Sequence, residues 1–323
     1  MRSGAAAAHR GYFHETGFYG SDEEFLAMVV PFFADGLAAG EPVVSAFAPA
    51  NQRLVRDAFG AGCGIRFVDG EAQYLRPAGA IRGYRAMLAD YVAAGATQIR
   101  VAGDVPHPGV GALWDWWARY EAAVNRAYDD YPIWGLCPYD TRITPANVLR
   151  DVRRTHPHIA TAAGHDTNPT FTDPVAFLAE SRAGWRDPLE AHTPDVRLAD
   201  PSAAQVRAAI TAVAAGTGVS GEDVGGLQLS ATEAVTNAIC HGAAPVDVRI
   251  WAAPDRIVVA VHDVGPGPTD PFAGLLPIDE SEIGGRGLWL MHQLCAFVSL
   301  HRASDGFTVR LVAAGATAGP PAG

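Results

Sequence analysis

Two α/β domains in series are the architecture this sequence predicts, and three observations predict it. The chain has 323 residues, enough for two buried cores. Over residues 12–159, short β-branched and aromatic runs alternate with stretches of helical length, which implies a mainly parallel sheet with helices on both faces. After a tract rich in Pro, Gly, Asp and Thr, a second block runs helix, strand, helix, strand.

The elements of the first block follow in order. Residues 11–19 suit a first strand, and 21–40 a helix opened by a Ser21–Glu24 capping box and stopped at Gly40. Strands at 42–48, 65–69, 97–105 and 133–140 then alternate with helices at 51–59, 81–95, 112–128 and 144–155. No strand is followed by a Gly-rich phosphate loop. Ligands of open parallel sheets sit beyond the strand C-termini. His14, Glu15, Asp104, His107, Tyr139 and Asp140 fall there, with His156 and His158 after the last helix. They suit a metal or small-molecule pocket, but their spacing matches no metal motif, so ordinary loop polars and caps are the preferred reading. Trp114, Trp116 and Trp117 read as helix packing.

The wording of this block, HETGFYGSDEEFL, RVAGDV, YEAAVNRAYDDYPIWGLCPYD and RTHPHI, resembles the MEDS sensory domain. The resemblance implies a sensor over residues 10–160, with a small-molecule ligand as one option. Residues 161–194 read as a linker carrying one short helix, and 201–216 as a helix capped by Asp200 with Pro201 at its first position.

In the second block, residues 227–242 carry Leu227, Leu229, Ala231, Ala234, Val235, Ala238 and Ile239 as an apolar face. Glu233, Asn237 and His241 repeat at i, i+4, i+8 and share one stripe, with Gly242 as the cap. Taken alone, that stripe is a solvated face. A strand from 255 then ends in Asp263-Val-Gly265-Pro-Gly267; Gly284, Gly285 and Gly287 open an apolar helix, and 305–313 reads as a closing strand.

Four such elements in order over about 90 residues resemble the GHKL ATPases. The string from Glu233 to Gly242 and the short lid of about 16 residues (268–283) are most similar to bacterial anti-sigma factor serine kinases, over residues 195–315. The resemblance implies a Bergerat α/β sandwich binding ATP and Mg²⁺. It assigns Asn237 to the metal, Glu233 to the general base, Asp263 to the adenine amino group, and Gly265, Gly267 and Thr308 to the base. Gly285, Arg286 and Gly287 go to the phosphates, and His241 braces the site. The implied partners are a sigma factor and a STAS-type anti-anti-sigma protein, the latter being the substrate of a serine kinase of EC 2.7.11.1 type. Pro266, Pro268 and an acidic lid (Asp270, Asp279, Glu280, Glu282) keep open a non-catalytic, nucleotide-gated anti-sigma module. A sensor histidine kinase is disfavoured, because one helix precedes residue 227 rather than a two-helix hairpin bearing an exposed His. A homodimer is left open.

Composition narrows the chemistry. All 24 basic residues are Arg, which excludes P-loop, Schiff-base and strand-lysine kinase mechanisms and leaves phosphate to backbone N–H groups, Arg and metal. A net charge of −11 without a basic patch argues against a nucleic-acid binder. No apolar run reaches transmembrane length, and the N-terminus lacks a signal-peptide pattern, so no membrane and a cytoplasmic location are expected. Cys63, Cys137, Cys240 and Cys295 share no CxxC and read as buried reduced thiols rather than disulfides or zinc ligands.

Overall fold

A computed structural model of the chain describes residues 2–107, 113–161, 164–180, 185–276 and 285–314. The chain divides into two compact units, Met1–Leu178 and Ala179–Gly323. Among the described residues no helix is long and apolar enough to cross a membrane.

The first unit runs β1 (Phe13–Tyr19), α1 (Asp22–Ala38), β2 (Val43–Ala46), α2 (Pro49–Phe59), β3 (Arg66–Phe67), α3 (Gly70–Gln73), α4 (Pro77–Ala93) and β4 (Ile99–Gly103). It continues with α5 (Trp114–Ala127), β5 (Ile133–Asp140), α6 (Ala146–Thr155), β6 (His158–Thr161), β7 (Gly164–Thr167) and α7 (Pro174–Ala179). The sheet order is β3-β2-β4-β5-β1-β6-β7, parallel except for the β6–β7 hairpin. That hairpin lies partly in the stretch read as linker: β6 pairs with β1, so the sheet continues to residue 167. Ser21 caps α1 by accepting from the Glu24 N–H at 3.2 Å, while the Glu24 carboxylate reaches back one residue further than a capping box requires, to the Gly20 N–H at 2.6 Å.

Central β1 is buried on both faces, and its alternation sorts its side chains. Phe13 faces α1, within a core containing Phe32 and Trp134. Tyr12 and His14 lie on the opposite face, towards α5 and α6, where Tyr12 stacks on His14 at 4.5 Å. Trp114, Trp116 and Trp117 are buried packing residues of α5, and Trp114 Nε1 donates to Asp151 on α6.

The second unit contains β8 (Val196–Ala199), α8 (Ala203–Ala214), α9 (Gly221–Cys240), β9 (Asp247–Ala253), β10 (Arg256–Asp263), α10 (Arg286–Leu294), β11 (Phe297–Ala303) and β12 (Gly306–Ala314). Its antiparallel sheet runs β11-β12-β10-β9-β8. Ile257, Val259 and Val261 of β10 join Val309 and Leu311 of β12 in one core with Val206, Leu227, Val235 and Met291 of the helices, so the three helices share one face. Leu229 and Ile239, read from sequence as part of the apolar face of α9, stand 44% and 61% exposed. Ser202, not Asp200, caps α8 and forms a reciprocal box with Gln205. Asp200 instead accepts from the Val246 N–H at 2.8 Å and ties the end of β8 to the entry of β9.

The other sheet face is covered by a strap at 185–192. Asp187 pairs with Arg256 at 3.0 Å, Glu190 with Arg310 at 2.9 Å, and Trp185 lies edge-on to Phe297. Arg310 and Glu190 are almost wholly buried together, a pairing that offsets the cost of removing either charge from water.

Candidate functional site

At the end of β10, Asp263 is 5% exposed. Its Oδ1 accepts from the N–H of Gly265 at 2.7 Å and of Ala243 at 3.2 Å, which holds the carboxylate in one orientation and leaves Oδ2 for a further donor. Glycine is needed around it for space. A methyl group on Gly242 would lie 2.3 Å from Asp263 Oδ1, and one on Gly265 2.7 Å from it. Gly242 therefore serves close approach, while His241 is the C-cap of α9. Gly267 needs both freedoms: its φ is +68°, and a methyl there would lie 2.4 Å from the Phe307 ring.

Helix α10 begins beside the polar stripe of α9. Gly285 caps it in the left-handed region at φ +76°. A methyl on Gly287 would lie 2.7 Å from Glu233 Oε2 and 3.4 Å from Asn237 Nδ2. The first turn of α10, with the positive end of its dipole, thus rests against the two α9 side chains with carboxylate and amide chemistry. The near half of the lid is packed: Phe272 and Leu275 are buried, and Asp270 accepts from the Phe272 N–H. The lid acids Asp279, Glu280 and Glu282, and Gly284, lie outside the described residues.

The first unit holds a second polar centre, between the middle of its sheet and helices α5 and α6. His14 of β1, Glu121 of α5, Cys137 of β5 and His156 after α6 bring one ligand atom each within 4.8 Å of one another. Glu121 Oε2 lies 3.6 Å from Nε2 of both histidines, and Cys137 Sγ lies 3.7 Å from His14 Nε2. Tyr139 donates to the other oxygen of Glu121. Burial pushes the Glu121 carboxyl up to about 8, against the pull of the Tyr139 hydrogen bond. Burial likewise lowers His156 to about 3 and His14 well below the usual histidine range. A small cavity lined by Tyr12, Tyr74, Tyr84, Tyr120 and Tyr128 reaches Glu121 and Cys137.

Comparison with known families assigns both halves. Residues 14–157 match the MEDS family, the methanogen/methylotroph, DcmR sensory domain, and residues 197–313 match the histidine kinase-like ATPase domain. The chain pairs a MEDS domain with a GHKL-type ATPase domain. Similar solved structures include the histidine kinase domain of the Erythrobacter litoralis EL346 blue-light activated histidine kinase, at 21% identity over 35% of this chain and a TM-score of 0.24. The NMR structure of the histidine kinase domain of the E. coli osmosensor EnvZ matches at 15% identity over 39% of this chain and 92% of that domain, also at a TM-score of 0.24. This chain spans 58% of the first of these two. No curated protein matches the chain.

In the ATPase domain, Glu233, Asn237 and Gly287 come together, while Asp263, Gly265 and Gly267 form one turn. Thr308 does not join them. It pairs with His262 across β10–β12 and its hydroxyl lies 3.0 Å from His262 Nδ1, whereas Asp263 pairs with Phe307. Directly opposed residues share a sheet face and successive ones alternate, so Thr308 stands on the face away from Asp263 and does not share a base site with it. Arg286 is exposed at the start of α10, and His241 is exposed at the end of α9.

In the MEDS domain, His14 and His156 meet, joined by Glu121 and Cys137, which sequence reading missed. The remaining candidates have structural partners. Glu15 accepts from Trp134 and lies 2.7 Å from His165 Nδ1; Asp104 accepts from the Ala48 N–H and from Asn51; His107 lies 3.3 Å from the Thr144 hydroxyl. Asp140 pairs with Arg142, and His158 stacks on Phe13. All four cysteines are free thiols, as expected, but only Cys295 is buried: Cys63 and Cys137 are half-buried, Cys240 is exposed, and Cys137 Sγ faces His14 Nε2. A signal for Glu121 was available: it is a carboxylate inside α5, a helix whose buried residues spread round its circumference, with Asn125 one turn on.

Proposed function

We propose that the ATPase domain binds ATP with Mg²⁺ and that the chain is a signal-responsive regulator of transcription, an anti-sigma factor and serine kinase of an anti-anti-sigma partner. The observation that carries the nucleotide half is the glycine cradle around Asp263. An acceptor held by two backbone N–H groups, with its second oxygen spare, suits the exocyclic amino group of adenine and opposes the carbonyl of guanine. Asn237 would offer its amide oxygen to Mg²⁺, and Glu233 would take the proton of an attacking hydroxyl. With no lysine in the chain, the N–H groups of α10 and Arg286 are the groups for phosphate. The fit is one of donor types: oxygen for the hard ion, a carboxylate for the amino group, a helix start for the anion.

The anti-sigma and serine-kinase assignment is supported by the string Glu233 to Gly242 and by the short lid. The placement of α8, packed on the sheet through Val206 and Ile210, also favours it over a sensor histidine kinase, which needs a free dimerising hairpin. A second reading, a nucleotide-gated anti-sigma module without turnover, draws on Pro266 and Pro268, which stiffen the turn after Asp263, and on the acidic lid, which opposes the charges of ATP.

Calorimetry tests the nucleotide assignment. ATP should bind in preference to GTP, and Asp263→Asn should cost about 1.5–3 kcal/mol of ATP affinity, one charge-assisted hydrogen bond. Equal affinity of wild type and variant would remove Asp263 from the base site.

A further inference from the structure

We infer that His14, Glu121, Cys137 and His156 of the MEDS domain bind a zinc-class divalent transition-metal ion. The site is independent of the nucleotide reading, since no residue of the ATPase domain takes part.

Asn125 Nδ2 faces three carbonyl oxygens, those of Thr155 at 2.8 Å, Glu121 at 3.0 Å and Ala122 at 3.3 Å, so its amide orientation is set. Its Oδ1 is then the atom 3.0 Å from His14 Nδ1, and an acceptor there places the His14 proton on Nδ1. His156 Nδ1 lies 2.8 Å from the Val152 carbonyl, which likewise accepts, so it too carries the proton. Both Nε2 atoms therefore present bare lone pairs to the centre. Such second-shell acceptors orient metal-bound imidazoles.

What the lone pairs meet is the second observation. His156 Nε2 and Glu121 Oε2 are fully buried and neither has a hydrogen-bond partner. A proton on Glu121 would not join them, because a hydrogen bond needs about 2.5–3.0 Å and the nearest ring nitrogens stand at 3.6 Å. A metal needs just such a gap. With Zn–N and Zn–O near 2.0–2.1 Å and Zn–S near 2.3 Å, tetrahedral angles put N and O ligands about 3.4 Å apart and N and S ligands about 3.6 Å apart. Three of the six pairs stand at 3.6, 3.6 and 3.7 Å, and all six lie within 4.8 Å, so a small inward shift of the side chains completes the tetrahedron. Two imidazoles, one carboxylate and one thiol suit Zn²⁺ or Co²⁺ rather than Mg²⁺ or Ca²⁺, which take oxygen. On binding, the Cys137 thiol and the Glu121 carboxyl each release their proton to solvent, and the sulfur and the carboxylate oxygen become anionic ligands.

The test uses the full-length, untagged protein. Elemental analysis without chelator should find one zinc-class ion per chain. Titrating metal-free protein with Co²⁺ should give the intense visible bands of tetrahedral cobalt and a sulfur-to-cobalt charge-transfer band. Cys137→Ser should lose the charge-transfer band, whereas Cys240→Ser, at an exposed thiol, should retain it. Asn125 is a positioning residue: Asn125→Ala should weaken cobalt binding about 10–100-fold while keeping the tetrahedral bands at saturation. A weak octahedral spectrum in the folded wild type, or a charge-transfer band that survives Cys137→Ser, would overturn the site.

Discussion

Each domain buries a carboxylate beside its central chemistry, and the two are treated in opposite ways. Asp263 meets donors: two backbone N–H groups converge on one oxygen, and glycines on either side clear space around it. Glu121 meets a donor on one oxygen, the Tyr139 hydroxyl, but its other oxygen faces the bare Nε2 atoms of His14 and His156. A carboxylate surrounded by donors is complete as an acceptor and can read a partner's N–H. A carboxylate surrounded by lone pairs is incomplete, and a cation completes it. The contrast separates a cradle for an organic ligand from a nest for an ion.

The largest expected effect sharpens the ATPase side with a third carboxylate. Glu233→Gln keeps shape and hydrogen bonding but removes the proton acceptor. Transfer of labelled γ-phosphate to a cognate anti-anti-sigma protein should fall about 10²–10⁴-fold with nucleotide affinity nearly unchanged. If the wild type transfers nothing to that partner while binding sigma in an ATP-dependent way, the gated-module reading replaces the kinase.

Gly242→Ala attacks the cradle itself. The added methyl would meet Asp263 Oδ1 at 2.3 Å, so the carboxylate or the α9 terminus must move. A loss of about 1–3 kcal/mol is expected in the unfolding free energy, with weakened ATP binding. Unchanged ATP affinity would show that the orientation of Asp263 is irrelevant to the nucleotide.

Glu121→Gln should act in the opposite direction. In metal-free protein a neutral amide costs less to bury than a carboxylate whose second oxygen has no donor, and it keeps an oxygen for Tyr139, so stability should rise by about 1–3 kcal/mol. The same change should remove metal binding. A variant less stable than the metal-free wild type would break the comparison, because Glu121 would then already be satisfied.

The smallest effect concerns Asp104, whose carboxyl burial raises from 3.8 to about 6. The folded chain binds this proton more tightly than the unfolded chain. The group's contribution to stability is therefore full below pH 3.8 and lost as pH rises through about 6. Thermal melts at about pH 5 and about pH 7 should show wild type losing ground to Asp104→Asn; parallel curves would show that Asp104 does not titrate in this window.

The ATPase domain was the more legible half, because its chemistry is local in sequence. Glu233 and Asn237 share a stripe by helical geometry, and Asp263, Gly265 and Gly267 occupy one turn, so no long-range contact has to be guessed. Thr308 was misplaced because its face depends on the register of β12 against β10, and a one-residue difference reverses the face. The strands at β8, β9 and β11 and the strap at 185–192 escaped for the same kind of reason: their pattern is weak until the sheet that pairs with them is in place.

By itself the sequence determined the two-domain α/β order, the α9 stripe, the Asp263 turn and the absence of lysine chemistry, all of which rest on local periodicity or on composition. Only the tertiary structure decided that Gly242 is small to admit Asp263, and that His14, Glu121, Cys137 and His156 face one point. Three of them stand on β1, α5 and β5, His156 follows α6, and the smallest gap between them in sequence is 16 residues, from Glu121 to Cys137. Parallel strand order and the packing of α5 and α6 on the sheet bring them together, and no spacing along a chain encodes a distance that the fold alone closes.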